Sequence, residues 1–188
     1  MKIKIKGINL LVKEGVFNPD PKNTNSSSMI LNNLPNIKQK EILDVGCGTG
    51  IIGIYCALNG SKKVLATDID NKAIQNTKEN IKINKVSNIK VLKSDLFEKV
   101  KGSFDYIFGN LPINDKSWNL NISTVELMNK FLSEAKKHLK NNGKVFFTWN
   151  SDDGVEPVRI LLNKGHYNYK EKIEKKPDKL WYLFEVSK

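Results

Sequence analysis

Three carboxylates and one carboxamide stand where short apolar runs end: Asp44, Asp68, Asp95 and Asn110. Asp44 opens the segment Asp44-Val-Gly46-Cys47-Gly48-Thr-Gly50, with glycine at every second position after a strand-like run at 41–45. A strand, a glycine turn and an apolar helix start together make a cradle for nucleotide-like ligands. Gly48-x-Gly50-x-x-Gly53, with Asp68 twenty residues beyond Gly48, also spells the dinucleotide fingerprint. Its frame is displaced, however. The glycine that directly follows the strand is Gly46, and the third glycine of the fingerprint would then fall on Ile51. Glycines at every second position instead make an open loop with an acid at its entrance. Such a loop does not suit a pyrophosphate. It suits a cationic ligand, such as a sulfonium that carries an ammonium group on its tail.

The remaining reactive side chains say less. Cys47 and Cys56 have no metal-ligand spacing; they read as a small loop residue and a helix core residue, and a reducing cytoplasm is their simplest setting. His138 sits near the end of a helical pattern, where positive charge is welcome. His166 begins a strand-like run. Neither has a sequence neighbour suited to a triad or a metal site, so no metal is expected.

These residues must be held by alternating strands and helices. Two short strands surround Gly7 within 2–13, and a polar loop at 18–28 leads to a helix at 29–33, which serines there could cap. Strands are expected at 41–45, 63–67, 88–92, 104–109 and 144–149, with helices at 50–59, 71–84, 122–140 and 154–163. Asp70 reads as the cap of the helix that starts at Asn71. In the helix at 122–140, Ser123-Thr-Val-Glu126 makes a capping box and Asn142-Gly143 marks the end. The tail gives an antiparallel pair, 166–174 and 180–186, turning at Pro177-Asp178. The alternation implies a mostly parallel sheet covered by helices on both faces.

Composition narrows the partners only slightly. No apolar run approaches a membrane span, and the alternating Met1-Lys-Ile-Lys-Ile-Lys-Gly start reads as a strand rather than a signal peptide. The net charge of +11 fits a polyanionic partner. Arg159 is the only arginine, though, and an A/T-rich genome alone would favour Lys, Asn and Ile. The lysines at 170–179 read as a solvated edge.

The Asp44 to Gly50 segment resembles the first motif of class I S-adenosylmethionine-dependent methyltransferases. The resemblance implies a Rossmann-like α/β fold with a seven-stranded sheet whose last strand is antiparallel. It implies S-adenosylmethionine as cofactor, held at Asp44, Gly46, Cys47, Gly48 and Gly50. It further implies that Asp68 bonds the ribose hydroxyls, Ile69 packs on adenine, and Asp95 accepts from the adenine amino group beside Leu96.

Gly109-Asn110-Leu111-Pro112-Ile113 occupies the place of that family's Asn-Pro-Pro-aromatic motif. In the motif, the asparagine oxygen and a backbone carbonyl accept N–H bonds from a planar nitrogen and free its lone pair for methyl transfer. Asn110, Leu111 and Pro112 are thereby the candidate catalytic residues, with Asn110 also touching the cofactor. Leu111 replaces a proline and Ile113 an aromatic ring; Trp118 is a candidate replacement for the lost stacking face.

Gly15-Val-Phe17-Asn-Pro19 and Asn25-Ser-Ser-Ser-Met-Ile-Leu31 resemble the lead-in of the small-domain methyltransferases, a segment that covers the cofactor and helps form the substrate cleft. Phe17 joins Ile113 and Trp118 as an acceptor contact on that basis. The family's members modify ribosomal RNA guanine, tRNA adenine or release-factor glutamine. The chain is expected to be one methyltransferase domain, with a lead-in at 1–36 and a core at 37–188. Its acceptor is expected to be RNA, with protein glutamine as the alternative. An altered, silent cofactor-binding module is a third reading.

Overall fold

The computed structural model describes residues 1–113, 122–152 and 154–188, and Trp118 lies outside them. The chain begins with a hairpin, β1 (Lys2–Ile5) and β2 (Ile8–Leu11), followed by helix α1 (Ser26–Asn32). Then come β3 (Glu41–Val45), α2 (Ile51–Leu58), β4 (Lys63–Asp68), α3 (Asn71–Ile83), β5 (Ile89–Lys93) and β6 (Phe104–Gly109). The rest is α4 (Thr124–Lys137), β7 (Leu139–Asn150), α5 (Glu156–Lys164), β8 (Asn168–Lys175) and β9 (Leu180–Ser187).

Seven strands form one sheet in the order β5-β4-β3-β6-β7-β9-β8. All neighbours are parallel except β9, which runs antiparallel to β7 and β8. This is the Rossmann-like sheet expected from the sequence. Strand order reverses at β3, which pairs with β4 on one side and β6 on the other, Val45 standing beside Gly109. A crevice opens outside the carboxyl ends of strands at such a switch point. The Gly46 loop and the Asn110 loop leave the sheet side by side there.

The core is aromatic where the sheet turns antiparallel. Phe147 of β7 and Phe184 of β9 stack at 4.9 Å between centroids, and both are fully buried. Burial of each such side chain contributes about 1.5–3 kcal/mol. A Cβ on Gly109 would lie 2.5 Å from Phe131 Cζ, so only glycine lets α4 pack against the end of β6.

Two helix boundaries depart from expectation. The Ser123 hydroxyl does accept from the Glu126 N–H at 3.1 Å, but α4 ends at Lys137, with His138 as its C-cap. Asn142-Gly143 lies inside β7, beside a register shift between Phe104 and Tyr106. A Cβ on Gly143 would stand 2.9 Å from the Phe104 carbonyl, so this glycine serves a bulge instead of a helix end. At α1, Asn25 is the N-cap and makes no side-chain capping bond; Ser26 and Ser27 lie within the helix, buried.

The N-terminal hairpin is tied down by a ladder that local patterning does not announce. Asn76, Asn80 and Asn84 recur every fourth residue on α3. Asn84 bonds the backbone N–H and carbonyl of Asn9 at 3.1 and 2.7 Å. Asn80 bonds those of Leu11 at 2.8 and 2.9 Å, and Asn76 takes the Lys13 N–H at 2.9 Å. Four helical residues rise about 6 Å and two strand residues about 6.8 Å, so the two repeats match. The carboxamides thus satisfy the open edge of β2 as a strand would.

Candidate active site

One cavity of about 1080 Å³ runs along the carboxyl ends of the sheet and is lined on the lead-in side by residues 15–17 and 21–27. The glycine loop forms one wall. Gly46, Gly48 and Gly50 have φ of 71°, 55° and 81°, all in the left-handed region that a Cβ disfavours. A Cβ at Gly46 would also lie 2.9 Å from Leu111 Cδ2, and one at Gly50 2.7 Å from Thr77 Cγ2. α3 holds the loop open from behind: Thr77 Oγ1 donates to the Gly48 carbonyl, and Asn80 Nδ2 to the Thr49 carbonyl, each at 2.9 Å.

The acids divide into two kinds. Asp44 is not at the cavity entrance. It is buried beneath the loop, where Oδ2 accepts from the Gly53 N–H of α2 at 2.9 Å and Oδ1 has no hydrogen-bond partner among the described residues. Burial pushes its carboxyl up to about 7. It therefore anchors the first turn of α2 and supports the loop without lining the cavity. Gly50 is likewise off the lining, since its role is to clear Thr77. Asp68 does line the cavity, at the tip of β4. Its oxygens accept from the Gly48 and Asp70 N–H groups, both at 2.9 Å, which fixes the carboxylate while leaving each oxygen a further lone pair. Burial raises its pKa. Asp70 caps α3 by accepting from the Lys72 N–H at 2.9 Å.

Beside Asp68, the side chain of Ile69 is 60% exposed and lines the cavity, an apolar face placed against open space. Asp95 and Leu96 follow at the end of β5. Leu96 has φ of 41°, a strained conformation for a branched residue that costs roughly 1–3 kcal/mol. Cys47 also lines this part, but its thiol is buried against Thr77 Oγ1 at 3.4 Å and its pKa is pushed well up by burial, so it is inert. A fixed carboxylate, an apolar shelf and a Cβ-free loop match a ribose, an adenine and a methionine tail in turn.

The other half of the cavity centres on Asn110. Its Oδ1 accepts from Thr148 Oγ1 of β7, and its Nδ2 donates to Ser27 Oγ of α1, both at 3.0 Å. Ser27 and Thr148 are buried, so the carboxamide is gripped from two directions. Leu111, Pro112 and Ile113 line the cavity too, but Leu111 and Ile113 are buried aliphatic residues joined to the core. Phe17 lines the cavity and its Cβ stands beside the glycine loop, 3.9 Å from where a Cβ on Gly48 would lie. Ser27, Thr148, Asn150 and Trp181 were not among the sequence candidates. The first two are legible only once α1 and β7 meet Asn110. The last two are strand-end residues beside it.

The histidines and the arginine lie off the cavity lining. His138 and His166 are not on the cavity lining. Arg159 is committed to Glu171 and Glu156, at 2.6 and 2.5 Å. The lysine run divides: Lys170 and Lys172 lie on the exposed edge strand β8, whereas Lys176 and Lys179 reach the cavity.

The methyltransferase small domain family matches residues 7–178. A provisionally named protein N5-glutamine methyltransferase of Methanocaldococcus jannaschii is 37% identical over 157 residues, 77% of each chain. The ribosomal RNA small subunit methyltransferase C of Pseudoalteromonas translucida is 34% identical over 146 residues, covering 77% of this chain and 41% of that longer one. Among solved structures, a provisionally named methyltransferase complexed with SAH shares the fold, with a TM-score of 0.76 at 16% identity, over 99% of this chain and 55% of that chain. No helix among the described residues is long and apolar enough to cross a membrane.

Proposed function

The chain belongs to the methyltransferase small domain family, as an S-adenosylmethionine-dependent enzyme, and from that premise we propose that it methylates a planar nitrogen of an RNA base held at Asn110. Asp68 would take the ribose hydroxyls, Ile69 and Leu96 would offer apolar surface to the adenine, and Asp95 would accept from its amino group. The glycine loop leaves room for the methionine tail. Bound there, S-adenosylmethionine supplies a methyl group on a sulfonium leaving group.

The chain's own part is to shape the acceptor. One lone pair of Asn110 Oδ1 is committed to Thr148; the other accepts an N–H of the acceptor nitrogen, and the Leu111 carbonyl accepts a second. Both bonds draw the nitrogen out of its π-system and leave its lone pair free to accept the methyl group. The proton lost afterwards goes to water. No imidazole lines the cavity among the described residues, which suits a nitrogen whose methylated form sheds its proton unaided.

The observation that carries this reading is the doubly gripped Asn110 carboxamide inside the cavity that also holds Asp68. RNA is favoured because Lys22 and Lys176, which make no ion pair among the described residues, line the same cavity, whereas Lys130 and Lys179 there are paired with Glu126 and Asp152. A protein glutamine amide is the second reading, favoured by the 37% identical relative. The test is transfer of tritium from labelled S-adenosylmethionine to total RNA and to total protein. Label in RNA that disappears in Asn110→Ala is expected. Label only in protein selects the second reading, and label in neither overturns both.

A further inference from the structure

Ile113 leaves the acceptor half without the aromatic face that a planar substrate wants, yet an indole stands nearby. Asn150, the last residue of β7, pairs directly with Trp181 of β9. Residues opposed in this way send their side chains to one face of the sheet. Thr148 shares that face, two residues before Asn150 and roughly 6–7 Å along the strand. Its hydroxyl already reaches Asn110 Oδ1 at 3.0 Å. Asn110, Asn150 and Trp181 all line the cavity.

Both newcomers are poised for a ligand. Asn150 Oδ1 accepts from the Asp152 N–H at 2.9 Å, which orients the carboxamide. Its NH2 group has no partner among the described residues, though Asn150 is only 5% exposed. Trp181 as a whole residue is 8% exposed: most of it packs into the core, the remainder lines the cavity, and its indole N–H is also unpartnered among the described residues.

We infer that Asn150 and Trp181 form the acceptor platform: the indole stacks on a nucleobase, and the Asn150 NH2 donates to a ring nitrogen or carbonyl oxygen of that base while Asn110 accepts from its N–H. The inference rests on the RNA reading above. A bicyclic indole matches the area of a base better than that of a lone amide. Lys22 and Lys176, which make no ion pair among the described residues, stand at the same cavity for the flanking phosphates.

The test compares wild type with Trp181→Leu, Trp181→Phe and Asn150→Ala, using total RNA as probe with S-adenosylhomocysteine saturating. RNA should quench tryptophan emission in the wild type and quench it less in both Trp181 variants. In tritium transfer, Trp181→Leu should raise KM for RNA roughly 5- to 150-fold. Phe should restore most of it, and Asn150→Ala should also raise KM. The Kd for S-adenosylmethionine should stay near wild type in every variant and the thermal midpoint near wild type in Asn150→Ala, whereas Trp181→Leu trims a core side chain and should lower the midpoint. If Trp181→Leu does not fold, the Phe and Asn150→Ala variants carry the comparison. Label in RNA with unchanged quenching and KM overturns the platform alone. Label in protein and none in RNA overturns the platform together with the RNA reading.

Discussion

Thr148→Val removes a single hydroxyl from the grip on Asn110 and leaves the shape of the site intact. Thr148 is fully buried, and valine fills the same volume, so no cavity is created. The lost bond is neutral and 3.0 Å long, worth about 0.5–1.5 kcal/mol, and Asn110 is half-buried on the cavity wall, where water can replace the hydroxyl. Stability should therefore fall by only about 1 kcal/mol. Turnover should fall further. The terminal torsion of a carboxamide is soft, so with only Ser27 holding it the group swings about that torsion. A displacement near 1 Å at a reacting group costs on the order of 100-fold. We expect kcat to drop roughly 10- to 100-fold, with KM for RNA changing little and the Kd for S-adenosylmethionine within about twofold. Thr148→Ser keeps the hydroxyl and should recover most of the rate. Single-turnover tritium transfer and calorimetric titration read these quantities separately. Unchanged kcat in Thr148→Val, or an equal loss in Thr148→Ser, would refute the positioning role.

Three further outcomes follow from the same geometry. Asn80→Ala removes the bonds to Leu11 and to the Thr49 carbonyl, so urea unfolding should show a loss of about 2–4 kcal/mol, and hydrogen exchange should rise along β2; an unaltered midpoint contradicts the ladder. Gly46→Ala meets both a φ of 71° and Leu111 Cδ2 at 2.9 Å; it should weaken S-adenosylmethionine binding at least about tenfold by calorimetry through the displaced Asn110 loop, and native affinity would contradict that close packing. Asp44, held up at about 7 by burial, keeps a proton in the folded state that the unfolded chain releases near pH 4. Cofactor-free stability should thus fall as pH rises from about 4 to 7, by at most about 4 kcal/mol, and level off above. Asp68 is raised in the same direction, so the difference between wild type and Asp44→Asn in urea melts at pH 5 and pH 8 isolates the Asp44 share; equal pH slopes would count against it.

The cofactor half was largely legible in the sequence because it is local. Glycines 46, 48 and 50 need positive φ, Asp68 ends its strand, and Asp70 caps the next helix, all within a few residues of the apolar runs that mark β3 and β4. Asp44 was legible as an acid but not as a buried one, since its environment depends on α2 folding over it. The acceptor half was opaque for the same kind of reason. Ser27 lies 83 residues from Asn110 and Thr148 lies 38 away, and Trp181 is brought to Asn150 only by antiparallel pairing of β9. The serines of α1 looked like caps because Ser is a favoured cap; they lie buried inside the helix instead, with Ser27 against the Asn110 loop. Asn142-Gly143 looked like a helix stop, and it became a bulge because β7 begins directly after His138.

The central claim is that the crevice between the Gly46 and Asn110 loops holds S-adenosylmethionine through Asp68. Isothermal titration of the purified chain with S-adenosylmethionine tests it most directly. One site per chain is predicted, with affinity reduced at least about tenfold in Asp68→Ala and unchanged in Asn150→Ala. No heat of binding, or binding that ignores Asp68→Ala, would contradict it.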